Sequence, residues 1–369
     1  MAAPFGVYVH VPFCASRCDY CAFATWTDRD HLMTAYAEAC VAELRRATRH
    51  EGLAPATSVY VGGGTPSRLP PDLLARILEA VVTDDDAEVT VECNPEDATA
   101  ARFARWRQAG VNRVSFGVQS MVPHVLESLG RRHGTTQVAQ AVGLAAQAGV
   151  ASVSVDLILG AASETDADLE ATLEGVLALE PRPRHVSAYA LTVEPGTPLA
   201  RQAWRHPDDD VIARRYERVD QALSAAGYRW YEVSNWAMPG DECRHNSLYW
   251  AQGDYRGIGC AAHSHRGGRR WWNIRTPERY IEAVQGGRST TAADEVLTDE
   301  QSAFEGLALA LRTSVGVPAS VVPDDPDLDG LVERGGDRAV LTVRGRLLAN
   351  EVTVRLRVPE GNGAPTGAR

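Results

Sequence analysis

Val7-Tyr8-Val9-His10-Val11-Pro12-Phe13-Cys14-Ala15-Ser16-Arg17-Cys18-Asp19-Tyr20-Cys21 carries the reading of the fold. Residues 7–10 are β-branched or aromatic and suit extended backbone, and Pro12 removes a donor from the ladder and ends it. A strand therefore runs directly into a loop bearing three cysteines. Working outward, the same unit recurs. Strands are predicted at 7–10, 58–61, 88–92, 113–118, 152–159 and 185–191, with helices at 30–48, 71–82, 98–109, 135–148, 164–179 and 208–226 between and after them. Pro70-Pro71-Asp72 opens one helix, and Gly110, Gly149 and Gly227 each close another. About six strand–helix alternations imply right-handed crossovers and a parallel sheet, an α/β fold. Alternation alone leaves open whether the sheet curls into a barrel or lies as a doubly wound layer. In both, chemistry gathers at the carboxyl ends of the strands. Cys14 to Cys21, Gly62 to Thr65, Glu92 to Pro95, Gln119 and Asp156 all fall there.

The chain has 369 residues, 44% hydrophobic and 23% charged, which fits one large folded domain and a smaller one. It contains no lysine, so all 37 basic residues are arginine, excluding a P-loop lysine, a Schiff-base lysine and a pyridoxal-phosphate anchor. A formal net charge of −11 argues against a nucleic-acid partner. Seven cysteines, an odd number, do not make a disulfide scaffold. Neither a signal sequence nor an uninterrupted apolar run of membrane-spanning length is visible, so the cytoplasm is the expected location. Residues 1–235 read as the core domain. Residues 236–293 read as an aromatic- and His-rich covering segment with a helix at 276–284 and a connector at 286–293. Residues 294–357 read as a small, mostly helical, winged-helix-like domain ending in a hairpin, and 358–369 as a disordered tail.

Three thiolates within eight residues can wrap one soft metal centre. Structural zinc takes four ligands in paired knuckles, and Cys40, Cys93, Cys243 and Cys260 form no such pair. Cys14, Cys18 and Cys21 instead fit a [4Fe-4S] cluster with one iron left open, against zinc or incidental thiols as the plainer readings.

The run from Tyr8 to Cys21 resembles the signature of radical S-adenosylmethionine enzymes. More narrowly, it resembles the branch holding oxygen-independent coproporphyrinogen III oxidase and its haem-chaperone relative. The likeness continues through Gly62-Gly63-Gly64-Thr65-Pro66, Glu92-Cys93-Asn94-Pro95, Gly117-Val118-Gln119-Ser120, Arg131-Arg132-His133-Gly134 and Asp156-Leu157-Ile158-Leu159-Gly160. The resemblance implies a partial (β/α)6 TIM-type barrel with the cluster at its mouth. There S-adenosyl-L-methionine would chelate the open iron and be cleaved reductively, with electrons from a donor such as flavodoxin or ferredoxin. It also implies that Gly62, Gly63, Gly64 and Thr65 meet the methionine moiety, that Glu92 accepts the ribose hydroxyls, and that Gln119, Arg131 and Asp156 contact the nucleotide. Tyr8, Tyr20 and Ala190 match further contact positions, where plain packing is an equal reading.

Where the oxidase has a further cysteine, this chain has Phe23, and only thirteen residues precede Cys14; both features match the chaperone branch. So does His245-Asn246-Ser247-Leu248-Tyr249-Trp250, whose imidazole could ligate haem iron and whose rings could flank a macrocycle. The competing reading is a satisfied histidine in a packed aromatic segment, with Cys243, His263 and His265 as nearby alternatives. The expected function is a haem chaperone that delivers haem to an acceptor protein, with no residue assigned as catalytic. The alternative is the oxidase itself.

Overall fold

The computed structural model describes residues 3–358. Six strands and their crossover helices follow in chain order: β1 (Phe5–Val11), α1 (Met33–Glu51), β2 (Ala56–Gly63), α2 (Pro71–Leu78), β3 (Thr83–Cys93), α3 (Ala100–Gln108), β4 (Arg113–Gln119), α4 (Pro123–Ser128), α5 (Thr135–Gln147), β5 (Ser152–Leu159), α6 (Asp166–Leu177) and β6 (His185–Ala190). Each strand pairs in parallel with the next. This unbroken order settles what alternation could not. The sheet is singly wound, as in a TIM-type barrel, and among the described residues it does not close on itself. Helix α4, between β4 and α5, was not expected. The predicted stop signals hold: Gly110, Gly149 and Gly227 take φ of 94°, 79° and 92°, the left-handed conformation that ends a helix cheaply only with glycine.

Parallel strands covered on both faces usually read as continuous apolar runs. These strands alternate instead. Val7, Val9, Val59, Val61, Val89, Val91, Val114, Phe116, Val153 and Val155 belong to one core with Leu44, Leu74, Ile77, Phe103, Trp106 and Val142 of the helices. The intervening positions, among them Tyr60, Thr90, Glu92, Ser115, Asp156 and Ser187, line interior cavities. One face of the sheet is therefore sealed by helices while the other is polar and hollow.

Both edges of the sheet come from later sequence. After α7 (Asp209–Ala225), β7 (Arg229–Glu232) and β8 (Asn235–Ala237) form a hairpin whose β8 runs antiparallel to β6. Then come α8 (Arg244–Trp250), β9 (Asp254–Ile258), β10 (His263–Arg266), β11 (Arg269–Asn273), α9 (Pro277–Gln285) and β12 (Thr291–Val296). Strand β9 pairs in parallel with β1, and β10, β11 and β12 add antiparallel beyond it, giving the order β12-β11-β10-β9-β1-β2-β3-β4-β5-β6-β8-β7. Residues 236–293 thus extend the sheet rather than merely covering it, and the expected connector at 286–293 runs into β12. Buried Glu43 of α1 ties this extension down. It accepts hydrogen bonds from Tyr280 (2.6 Å), Thr290 (2.7 Å), Asn273 (3.0 Å), the Gly259 N–H (3.1 Å) and Arg256 (3.3 Å).

The small C-terminal unit comprises α10 (Asp299–Leu311), β13 (Val317–Pro318), β14 (Val332–Gly335), β15 (Arg338–Leu341), α11 (Val343–Leu347) and α12 (Ala349–Thr353) around its own core of Leu311, Val317, Leu341 and Val352. The expected hairpin is β14–β15, but two short helices follow it, so it does not end the unit. Nearly all of the expected tail at 358–369 lies outside the described residues. Among those described, no helix is long and apolar enough to cross a membrane.

Candidate functional site

The cysteine loop leaves β1 and is held along its length. Trp26 N–H donates to Pro12 O (2.8 Å) and Cys14 N–H to Trp26 O (3.0 Å), closing the loop at its base. At its far side, Leu199 N–H donates to Asp19 O (3.0 Å), and Arg205 bridges the Asp19 carboxylate and Ser128 O. The glycine loop after β2 is zipped to it: Gly64 N–H donates to Val11 O and Thr65 N–H to Phe13 O, both at 2.8 Å, and the Thr65 hydroxyl lies 3.5 Å from Cys14 Sγ. A Cβ on Gly64 would stand 2.9 Å from both Val11 O and Phe13 O and 3.0 Å from Cys14 Sγ, so only glycine permits this approach. Cys14, Cys18 and Cys21 are half-buried, while the other four cysteines are buried. Burial pushes the Cys14 and Cys21 thiols above their usual range.

These three cysteines open onto a cleft of about 430 Å³ at the carboxyl ends of the strands. Tyr20, Gly63, Gly64, Thr65, Glu92, Gln119, Arg131, Asp156 and Ala190 line the same cleft, so the structure gathers twelve of the residues expected at one site. Glu92 accepts a hydrogen bond from Tyr60 Oη (2.8 Å); burial, and next the neighbouring Asp156 carboxylate, push its pKa up to about 7. Burial also raises Asp156, although Ser115 donates to it at 3.0 Å. Arg131 Nη2 donates to Asn94 Oδ1 (2.7 Å) and Gly117 O (2.9 Å), while its buried Nε has no partner among the described residues. Gln119 ends β4 at φ 65°, a strained conformation for a non-glycine residue of the kind found at ligand-binding positions.

Gly62 does not face the cleft. A side chain there would stand 2.9 Å from both Glu92 Oε1 and the Tyr60 ring, so this glycine makes room for the Tyr60–Glu92 pair. Tyr8 lines two adjoining cavities and its hydroxyl lies 3.1 Å from His10 Nδ1. Sequence reasoning missed Tyr60, Tyr189 and Asn94. The alternation of β2 placed Tyr60 on the same face as Gly62 and offered a signal.

Below the cleft, and sharing Tyr60, Asp156 and Tyr189 with it, a second cavity of about 210 Å³ occupies the hollow face of the sheet. Helix α8 lies at its far end, against the amino ends of the strands: His245 approaches Gly6 of β1, Ser58 of β2 and Glu88 of β3. His245 is only 1% exposed, its Nδ1 is 3.0 Å from Ser58 Oγ and its Nε2 2.8 Å from Tyr249 Oη. Burial lowers its pKa to about 3, so the ring is neutral and both nitrogens are engaged. Asn246 donates to Tyr231 Oη and Glu232 Oε1, both at 3.1 Å, and Trp250 lines neither cavity. In this arrangement the His-Asn-x-x-Tyr-Trp segment packs against the amino ends of the strands, with both His245 nitrogens hydrogen-bonded. Cys243 and His265, two of the alternatives, are buried as well. Replacing His245 with Ala leaves Ser58 and Tyr249 unpaired beside a new void; it is expected to cost about 2 kcal/mol in denaturant unfolding.

The remaining alternative differs. His263 is exposed and stands opposite Trp272 in the β10–β11 ladder, their rings stacked at 5.6 Å. With Phe23, 65% exposed, they border a third cavity that shares Tyr8, Gly63 and Glu92 with its neighbours.

Among the described residues, no three His, Cys, Asp or Glu side chains converge closely enough to hold a single metal ion. A four-iron cube spreads its thiolates over different irons, so an open three-cysteine loop suits a cluster better than a zinc cage. Residues 8–176 match the radical SAM superfamily. The chain is 44% identical over 374 residues to heme chaperone HemW of Mycobacterium tuberculosis, covering 95% of this chain and 94% of that protein. It is 33% identical to heme chaperone HemW of Escherichia coli, covering 95% and 97%. Among solved structures, coproporphyrinogen III oxidase of Escherichia coli superposes with a TM-score of 0.83 at 22% identity, covering 96% of this chain and 90% of the oxidase, a likeness of fold. The chain belongs to the radical SAM superfamily, whose members use a [4Fe-4S] cluster and S-adenosylmethionine, and within it to the family of proteins called heme chaperone HemW.

Proposed function

We propose that this protein binds haem and hands it to an acceptor protein, from a barrel whose mouth holds a [4Fe-4S] cluster and S-adenosylmethionine. The observation that carries the reading is the end-to-end likeness to heme chaperones at 44% identity, against a likeness of fold alone to the oxidase. Phe23, rather than a cysteine, beside the cluster loop agrees with it. When bound, the cluster supplies the electron that cleaves S-adenosylmethionine.

The chain's own residues do the holding. Cys14, Cys18 and Cys21 ligate the cluster. Gly63, Gly64 and Thr65 bring backbone close to the methionine moiety, and the Arg131 guanidinium, with Nε unpaired in a buried setting, suits its carboxylate. Ionised Glu92 accepts the ribose hydroxyls, Gln119 and Asp156 contact the nucleoside, and Tyr20 and Ala190 wall it, excluding water. An electron donor such as flavodoxin or ferredoxin, and a cytoplasmic setting, complete the proposal.

Replacing Arg131 with Ala is expected to weaken S-adenosylmethionine binding about tenfold, or about 1.4 kcal/mol, with cluster iron unchanged, as read by calorimetry on reconstituted protein. The reading as a whole is tested by mixing haem-loaded protein with an apo-haemoprotein, and separately by anaerobic incubation with reductant, S-adenosylmethionine and coproporphyrinogen III. Haem transfer without decarboxylated porphyrinogen is expected; catalytic decarboxylation would make the protein an oxidase.

A further inference from the structure

We propose that haem is bound in the third cavity, through His263 as the axial ligand to iron, with Trp272 and Phe23 as flat walls and Arg275 as the partner of a propionate. This rests on the haem-binding reading above and locates it.

Four observations converge. The cavity, about 540 Å³, is of the size that takes a cofactor-sized ligand. His263, Trp272, Phe23 and Arg275 all border it. The His263 side chain is exposed, whereas that of His245 is buried with both ring nitrogens hydrogen-bonded. Trp272 lies 5.6 Å from it with the rings 25° apart, a stack that fixes the imidazole from one side.

The position has a physical rationale beyond these contacts. Phe23, exposed over 65% of its surface, borders both this cavity and the cysteine cleft and offers apolar area whose burial by a bound ring is favourable. A macrocycle laid on Phe23 and Trp272 would cover both. The exposed Arg275 supplies the one cation the cavity lining holds, matching a carboxylate at the macrocycle edge. The support is braced, because β9 and β11, which flank β10, are tied to the Glu43 hub through Arg256 and Asn273, and the Gly259 N–H just after β9 joins them. Binding forms one imidazole nitrogen–iron bond, displaces a solvent ligand from iron, and involves no electron transfer.

The test is anaerobic titration with hemin of the full chain and of His263→Ala, His263→Met, Trp272→Ala and His245→Ala, followed by visible absorption and electron paramagnetic resonance. The expected result is a histidine-ligated ferric spectrum in the wild type. His263→Ala loses that signature and roughly tenfold or more in affinity, and His263→Met replaces it with a thioether-ligated one. Trp272→Ala weakens binding with the ligand signature kept, and His245→Ala leaves the signature unchanged. If the wild type binds hemin and His263→Ala keeps both spectrum and affinity, this site is wrong while the haem-binding reading stands. If the wild type takes up no hemin, the reading itself fails and the site with it.

Discussion

Replacing Cys14, Cys18 and Cys21 together with Ala is expected to remove all cluster iron and sulfide from anaerobically reconstituted protein, against about four of each in the wild type. The loss should be complete because the other four cysteines are buried and cannot stand in. Cys243 lies in the hollow of the sheet, 3.3 Å from Glu88 Oε1, and Cys40 and Cys260 pack in the core beside α1. Folding should survive. The loop is closed by backbone hydrogen bonds and by the Arg205–Asp19 bridge, none of which uses a thiol. The measurement is iron and acid-labile sulfide per chain alongside the thermal midpoint of the apo-protein. Retained iron at an unchanged midpoint would remove the cluster from this loop.

The second expectation concerns Glu92. Its carboxyl is surrounded by protein and beside Asp156, which raises its pKa from an ordinary 4.5 to about 7. Below pH 4.5 the group is protonated in both folded and unfolded chains and is neutral to stability. Between 4.5 and 7 the unfolded chain gives up its proton first, so stability falls as pH rises through that window and stays reduced above it. The full cost is up to about 3 kcal/mol, and less as cleft water screens the charge. Glu92→Gln removes the ionisation while keeping an oxygen to accept from Tyr60. The variant is therefore expected to match the wild type in stability near pH 4 and to exceed it by about 2 kcal/mol at pH 8. At pH 8 it should also bind S-adenosylmethionine at least about tenfold more weakly, having lost the charge that strengthens a hydrogen bond from a ribose hydroxyl. Unfolding curves of the two proteins across pH 4–8, with calorimetry at pH 8, read both effects. A stability difference independent of pH would show that Glu92 ionises normally.

The two expectations use different parts of the sequence's information. The cysteine triplet, the glycine loop and the strand-end residues Glu92, Gln119 and Asp156 were legible because each closes a strand in the repeating unit, and parallel strands wound in one direction must present their ends together. Tyr60 and Tyr189, which border both the cleft and the cavity below it, were not, since an aromatic inside a strand reads as core until the opposite face is known to be hollow. The edge strands were illegible for a related reason. Strand β9 has five residues and no clear period, and it becomes a strand only because β1 offers it an unpaired edge.

His245 marks the boundary most sharply. A histidine beside Tyr and Trp reads equally as a ligand or as a plug, because sequence records which groups are present but not which hydrogen bonds they already make. By itself, the sequence determined the family through its ordered motifs, and the parallel α/β core, the cysteine loop and most of the cleft lining through local spacing and the direction of winding. Only the tertiary structure decided that α8 lies at the amino ends of the strands with both His245 nitrogens spent, and that His263 stands open beside Trp272 and Phe23. Whether a side chain is free to bind depends on partners far away in the chain, Ser58 for His245 and Glu43 for the strands around His263, and no local pattern carries that information.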